Sequence, residues 1–207
     1  GVGSGTTINN IEIVANQDDG VEWFGGNVDV NGVLVWNSGD DGLDTDQDWI
    51  GTCSDFIVVT PRGGSAFELD GPEGTINRGC HTFSNGIVYA GGDIDHLIDW
   101  DGSTNAALQD VYFFGIDNGY GYIADDPATA DEDEEFMPFE SWGGDGNCTT
   151  SNIQITLGTQ AIADLFAPGT TLPTELSVVA NGGAGVDVSA FNWTWASRSG
   201  ALTSIGL

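Results

Sequence analysis

One short pattern recurs along this chain and limits its fold more than any other feature. It is an acid flanked by apolar or Thr residues and followed closely by Gly or Asp. The copies are Val21-Glu22-Trp23, Leu43-Asp44-Thr45, Phe67-Glu68-Leu69 and Ile98-Asp99-Trp100, recurring after 22, 24 and 31 residues. An apolar strand precedes each copy: Ile11-Glu12-Ile13-Val14, Val33-Leu34-Val35-Trp36, Phe56-Ile57-Val58-Val59 and Ile87-Val88-Tyr89. Two degenerate copies follow, Val111-Tyr112-Phe113-Phe114 with Tyr120-Gly121-Tyr122, and Ile153-Gln154-Ile155 with Ile162-Ala163. Repeats of this length mark a solenoid, in which one unit is too small to bury its apolar face except against its neighbours.

The short strands are separated by Gly, Asn and Asp turns, and no segment has a convincing helical period. Neither a Leu-x-x-Leu-x-Leu frame nor four strands per roughly 40 residues is present, which excludes leucine-rich repeats and propellers. The expected fold is therefore all-β, a parallel β-helix of about six coils with a C-terminal capping segment. Strands of successive coils then stack about 4.8 Å apart, so equivalent positions form columns. Val21, Leu43, Phe67, Ile98 and Trp23, Thr45, Leu69, Trp100 become inward columns. Glu22, Asp44, Glu68, Asp99 and, beside them, Phe24, Asp46, Asp70, Asp101 become outward ones.

A length of 207 residues suits a single domain. Regular coils are expected over about 6–124, an acidic insertion over 125–150, and the last coil and cap over 151–207. Leu176-Ser177-Val178-Val179 and Phe191-Asn192-Trp193-Thr194-Trp195 read as closing strands of that cap. The opening Gly1-Val2-Gly3-Ser4-Gly5 reads as a loop entering a strand, so the chain is expected to be a piece of a longer protein. No apolar run approaches the roughly 20 residues that span a bilayer.

The chain carries 32 Asp and Glu against three cationic side chains, Arg62, Arg78 and Arg198, for a formal net charge of −29. Such a field repels nucleic acid and anionic membranes and favours cations. Its self-repulsion also favours a salty or calcium-containing extracellular medium.

Stacked carboxylates about 4.8 Å apart repel by nearly 1 kcal/mol per pair even at the dielectric of water. Calcium offers an offset, since it takes several hard oxygen ligands; diffuse Na⁺ and water offer another. The candidate metal ligands are Glu22, Asp40, Asp41, Asp44, Asp46, Asp48, Glu68, Asp70, Asp99 and Asp101. The second coil, with Asp40, Asp41, Asp44, Asp46 and Asp48, is the densest set. The doublets Asp18-Asp19 and Asp40-Asp41 precede Gly20 and Gly42, where Asp is also an ordinary turn former. The run Asp131-Glu132-Asp133-Glu134-Glu135 reads as a solvated loop or a cation-binding one.

The strings from Ala15 to Gly26 (Ala-Asn-Gln-Asp-Asp-Gly-Val-Glu-Trp-Phe-Gly-Gly) and from Gly39 to Asp46 (Gly-Asp-Asp-Gly-Leu-Asp-Thr-Asp) resemble bacterial secreted or lipid-anchored β-helix surface proteins. The resemblance covers roughly Thr6 to Asp117, and Phe191 to Leu202 looks similar too. It implies a right-handed parallel β-helix and extracellular or cell-surface placement, and supplies no activity. Pectin-degrading glycosidases are a second comparison, because they place catalytic Asp residues one coil apart, as Asp18, Asp40 and Asp41 would be here. Their following Gly-His-Gly and Arg-Ile-Lys strings have no counterpart in this chain. Few cations remain to hold an anionic sugar.

The leading expectation is a non-enzymatic extracellular structural or adhesive module that binds divalent cations, calcium first, and stacks on other subunits through its coil ends. The alternatives are a carbohydrate-active enzyme using Asp18, Asp40 and Asp41, and a carbohydrate-binding module. Of the tryptophans, Trp23 and Trp100 fall on inward columns, while Trp49, in the loop Asp46-Gln47-Asp48-Trp49, is the candidate ligand contact for a polysaccharide. Cys53 and Cys80 precede strands of successive coils and are expected to form a disulfide, with Cys148 left over.

Overall fold

A computed structural model describes all residues except 60–62, 73, 93, 125–135 and 145–146. The acidic run 131–135 and Arg62 lie outside the described residues. Among the described residues eleven strands form two parallel sheets, alternating between them from β1 to β9. The longer sheet takes β1 (Ile8–Val14), β3 (Val30–Trp36), β5 (Thr52–Val59), β7 (His81–Tyr89), β9 (Ala106–Phe114), β10 (Ser151–Ile155) and β11 (Leu176–Val178) in that order. The shorter one takes β2 (Val21–Gly26), β4 (Leu43–Trp49), β6 (Phe67–Leu69) and β8 (Asp99–Trp100). Successive strands of each sheet pair in parallel, one coil apart. The chain is a parallel β-solenoid of about six turns.

The registers follow the repeat. In the short sheet Val21 pairs Leu43 and Leu43 pairs Phe67, while Trp23, Thr45, Leu69 and Trp100 lie on one column. In the long sheet Ile13, Val35, Val58, Val88, Phe113 and Ile155 stack in one column. These side chains and the aromatic set Trp23, Trp49, Phe56, Phe67 and Phe83 fill the interior.

The long strands are bent at one shared level. Asn10, Gly32, Asp55, Asn85, Asp110 and Asn152 all have left-handed φ, between 51° and 74°, and occupy equivalent positions in successive coils. Gly carries no Cβ penalty there, and Asn and Asp are the other residues that tolerate this region. Their amides and carboxylates also bond between coils: Asn152 Nδ2 donates to Asp110 Oδ1 at 2.6 Å, Asn31 Nδ2 donates to Asp55 Oδ2 at 2.8 Å, and Asn85 Nδ2 donates to Asp55.

The C-terminal segment differs from the expected closing strands. Leu176–Val178 is the last strand of the long sheet, but Phe191 ends a 3₁₀ turn (Val188–Phe191) and Trp195 begins the short helix α1 (Trp195–Arg198), followed by α2 (Ala201–Ser204). This segment lies along the side of the solenoid. Val186, Phe191, Ala196 and Leu202 pack on Leu34, Ile57 and Ile87, which face outward from the long sheet. Glu12 of the first coil accepts the Trp195 and Ala196 N–H groups at 2.7 and 2.9 Å, satisfying the free amides at the start of α1. The runs Val33–Val35 and Phe56–Val58 are continuously apolar because both faces of the sheet are buried, as in other covered parallel sheets.

Three further expectations are corrected. The disulfide joins Cys80 to Cys148, with Cα atoms 5.9 Å apart, and Cys53 is a buried free thiol. Cys53 pairs in register with Phe83 on an inward column, so its side chain is committed to the core. The fifth rung of the short sheet is not Tyr120-Gly121-Tyr122: Ile98 bridges Phe139, so Phe139-Glu140 takes that place after the insertion. Ile162 and Ala163 belong to a 3₁₀ turn (Ile162–Leu165) rather than a strand.

Candidate functional site

The short sheet sets an acidic ladder on its outer face. Glu22, Asp44, Glu68 and Asp99 pair directly in register. Glu140 extends the column, since its N–H donates to the Ile98 carbonyl at 3.0 Å. The alternation that buries Leu43 and Thr45 forces Asp44 to the opposite face, where its neighbours on both sides are also acids. Asp44 is nonetheless only 6% exposed.

The turn before each of these strands adds a second line of carboxylates. Asp19 Oδ1 accepts the Asp41 N–H at 3.1 Å, and Asp41 Oδ1 accepts the Ser65 N–H at 2.5 Å. Each doublet thus stitches its turn to the next coil, which is the turn-forming role. One oxygen each from Asp19, Glu22 and Asp44 lies within 4.8 Å of the others, and the same holds for Asp18, Asp19 and Asp40. Asp19 belongs to both sets; the sequence marked it only within the Asp18-Asp19 doublet and not among the candidate metal ligands. Its signal was the register of Asp18-Asp19 with Asp40-Asp41.

The carboxyls respond to this crowding in one direction. Burial, reinforced by Asp19, Glu22, Asp41 and Asp70, pushes Asp44 up to about 8. Glu68 is raised by burial, by a hydrogen bond with Asp41 and by the charges of Asp41, Asp44 and Asp70. Asp19, Glu22, Asp40 and Asp99 are raised as well, burial being the first cause for each. Glu22 is hydrogen-bonded to Asp44. Two carboxyl groups in such contact need a shared proton or a cation between them.

Other predicted ligands stand apart from this group. Asp48 accepts the Arg78 N–H at 3.2 Å and lies 3.6 Å from its guanidinium Nε. Asp46 Oδ1 accepts the Gln47 N–H at 2.6 Å, and Asp101 accepts the Ser103 N–H and hydroxyl at 3.2 and 2.9 Å. Asp70 contributes to the field on Asp44 and Glu68. The ladder therefore gathers Glu22, Asp40, Asp41, Asp44, Glu68 and Asp99; Asp70, Asp46 and Asp101 add their charge to it, the last two while closing local turns, and Asp48 pairs with Arg78.

Trp49 is not a ligand contact. It is 1% exposed, stacks on Trp23 with ring centroids 4.7 Å apart, and donates its Nε1–H to the Val28 carbonyl at 3.1 Å. Gln47, in the left-handed region at φ 57°, bends β4, and Trp49 beyond it is buried like Leu43 and Thr45 before it. The histidines differ from each other. His81 is buried among Trp49 and Phe83, 3.2 Å from Thr45 Oγ1, and burial lowers it to about 4. His96 stands at the edge of the ladder, 3.8 Å from both Asp99 and Glu140.

Among the described residues no helix is long and apolar enough to cross a membrane. A family model described as a pectate-lyase-like beta helix domain matches residues 1–90, the stretch that holds β1 to β7. No curated protein and no solved structure matches the chain. The first 90 residues are thus similar to the pectate-lyase-like beta helix domain, in agreement with the parallel β-solenoid built by β1 to β11.

Proposed function

We propose that the chain is a non-enzymatic, extracellular structural or adhesive β-solenoid module whose acidic ladder binds calcium. The observation that carries this is Asp44: a carboxyl 6% exposed, flanked in register by Glu22 and Glu68 and faced by Asp19 and Asp41. Below neutral pH a proton relieves that crowding. In a calcium-containing medium the ion replaces the proton, because it takes six to eight oxygen ligands in flexible geometry and the ladder offers oxygens from adjacent coils. Binding then ties one coil to the next. The net charge of −29 suits a salty exterior, where it is screened, and the Cys80–Cys148 disulfide suits an oxidising one. The outer edge of β1 ends its sheet, and such edges accept further strands, which gives the module a route to stack on other subunits.

A second reading, a carbohydrate-active enzyme, is favoured by the similarity of residues 1–90 to a pectate-lyase-like domain. Against it, Asp41 is buried with one oxygen committed to Ser65 N–H, Arg78 pairs with Asp48, and Arg198 donates to the Asn192 carbonyl far along the chain. The test is calorimetric titration of chelator-stripped protein with Ca²⁺, alongside an activity screen on neutral and anionic polysaccharides. Calcium uptake that Asp44→Asn weakens at least tenfold, with no turnover, supports the structural module. Turnover abolished by Asp40→Asn and Asp41→Asn would replace it with the enzyme.

A further inference from the structure

At its C-terminal end the ladder changes chemistry. His96 lies in the turn before β8, Asp99 lies on β8, and Glu140 is brought alongside by the Ile98–Phe139 bridge across the insertion. His96 Nδ1 is 3.8 Å from Asp99 Oδ2, and Nε2 is 3.8 Å from Glu140 Oε2. One ligand atom from each of the three lies within 4.8 Å of the other two. The Phe136 ring packs on the imidazole with centroids 5.0 Å apart, and Ser65 Oγ sits 3.3 Å from Nδ1.

The geometry points to a site for a first-row divalent transition metal, zinc first, held by His96, Asp99 and Glu140 with water at the remaining position. It shares Asp99 with the ladder but does not rest on calcium binding there. Calcium is served by oxygen alone, whereas imidazole nitrogen suits zinc and its neighbours. Two carboxylates and a neutral imidazole balance a divalent ion, while a proton on His96 balances only one of the two charges. Three protein ligands plus water is the usual form of an open zinc site. With Nε2 on the metal, Nδ1 keeps Ser65 Oγ at 3.3 Å as its partner, which holds the ring in orientation.

With bonds near 2.1 Å, tetrahedral ligand atoms stand about 3.4 Å apart, so groups within 4.8 Å of one another close by up to about 1.4 Å. The side chains of Asp99 and Glu140 are 32% and 41% exposed, so neither is locked in the core. The short sheet supplies the rest by setting both carboxylates on neighbouring rungs. Nothing in the local sequence around His96 announces the site, because Glu140 arrives 44 positions later.

The test uses the full chain, stripped with chelator and held in excess Ca²⁺ so that oxygen sites are filled. Co²⁺ is titrated in with its visible absorption as readout, then displaced with Zn²⁺. The expected result is one equivalent of Co²⁺ bound and displaced by Zn²⁺, with affinity falling at least tenfold in both His96→Gln and Glu140→Gln. The chain has two histidines, so NMR of the unaltered protein gives a second readout: Zn²⁺ shifts the His96 ring signal and leaves that of buried His81 in place. An unmoved His96 signal, or Co²⁺ binding that excess Ca²⁺ abolishes, overturns the assignment and leaves His96 as an ion-pair partner of the two acids.

Discussion

Replacing Asp44 by Asn separates the electrostatics of the ladder from its packing, because the two side chains have nearly the same shape and Asn mimics the protonated acid. An ordinary Asp ionises near 3.8 and Asp44 near about 8. The folded value lies above the unfolded one, so the stability that neutral Asp44 contributes is fully present below about 3.8 and is lost as pH rises through about 8. At about 1.4 kcal/mol for each tenfold, ionising Asp44 in the fold near pH 9 costs on the order of 5 kcal/mol. Rotation of Glu22, which is exposed, and screening by sodium reduce that to about 2–4 kcal/mol. In chelator at pH 9, Asp44→Asn is therefore expected to melt about 5–15 °C above the unaltered chain, at about 2–4 °C per kcal/mol for a domain of this size. Near pH 4 the two should nearly coincide. In excess calcium the order reverses, since Asn is the poorer ligand. Thermal melts followed by circular dichroism at the two pH values, with and without calcium, read all of this. A variant less stable than the unaltered chain at pH 9 in chelator, or a difference independent of pH, would refute the reasoning.

Three further outcomes follow from other parts of the fold. Reducing Cys80–Cys148, or replacing Cys80 by Ser, opens a loop of 68 residues and should cost about 4 kcal/mol, seen as a lower midpoint in denaturant; Cys53→Ser should leave sensitivity to reductant unchanged. His81 is held neutral down to about 4 against 6.5 unfolded, so its contribution is present above 6.5 and is lost as pH falls towards 4; His81→Gln should flatten that limb of a stability–pH curve, and an unchanged limb would assign it to other groups. Glu12→Gln removes the charge that accepts the first two amides of α1 and should cost about 1 kcal/mol, with faster proteolysis of residues 188–207 as the readout.

The repeated strand was legible because burial leaves a periodic trace: Leu43, Phe67 and Ile98 each precede an acid, and pairing in register follows from that alternation. The left-handed column from Asn10 to Asn152 left a fainter one, as Asn, Gly or Asp ahead of each apolar run. Three features were hidden for separate physical reasons. Phe139-Glu140 repeats the apolar-acid pattern, but the insertion moved it 41 residues beyond Ile98-Asp99 and out of period. Cys148 lies beyond the same insertion, which obscured its nearness to Cys80. Trp49 reads as a loop residue, whereas β4 runs on to it past the bend at Gln47 and buries it on the same side as Leu43 and Thr45. Within the ladder, composition indicated the acids, but only geometry divided those that converge on Asp44 from those, such as Asp46 and Asp101, that close their own turns.

The central claim is that the ladder of Glu22, Asp44 and Glu68 holds calcium and thereby locks adjacent coils together. It is tested most directly by melting the unaltered chain near pH 8 in chelator and in excess Ca²⁺ at matched ionic strength. With calcium at about a hundred times the dissociation constant, each site adds about 2.7 kcal/mol. The expected rise is about 5–11 °C for a single site, and smaller with Mg²⁺, which demands tighter octahedral geometry. Coincident curves in chelator and calcium would contradict it.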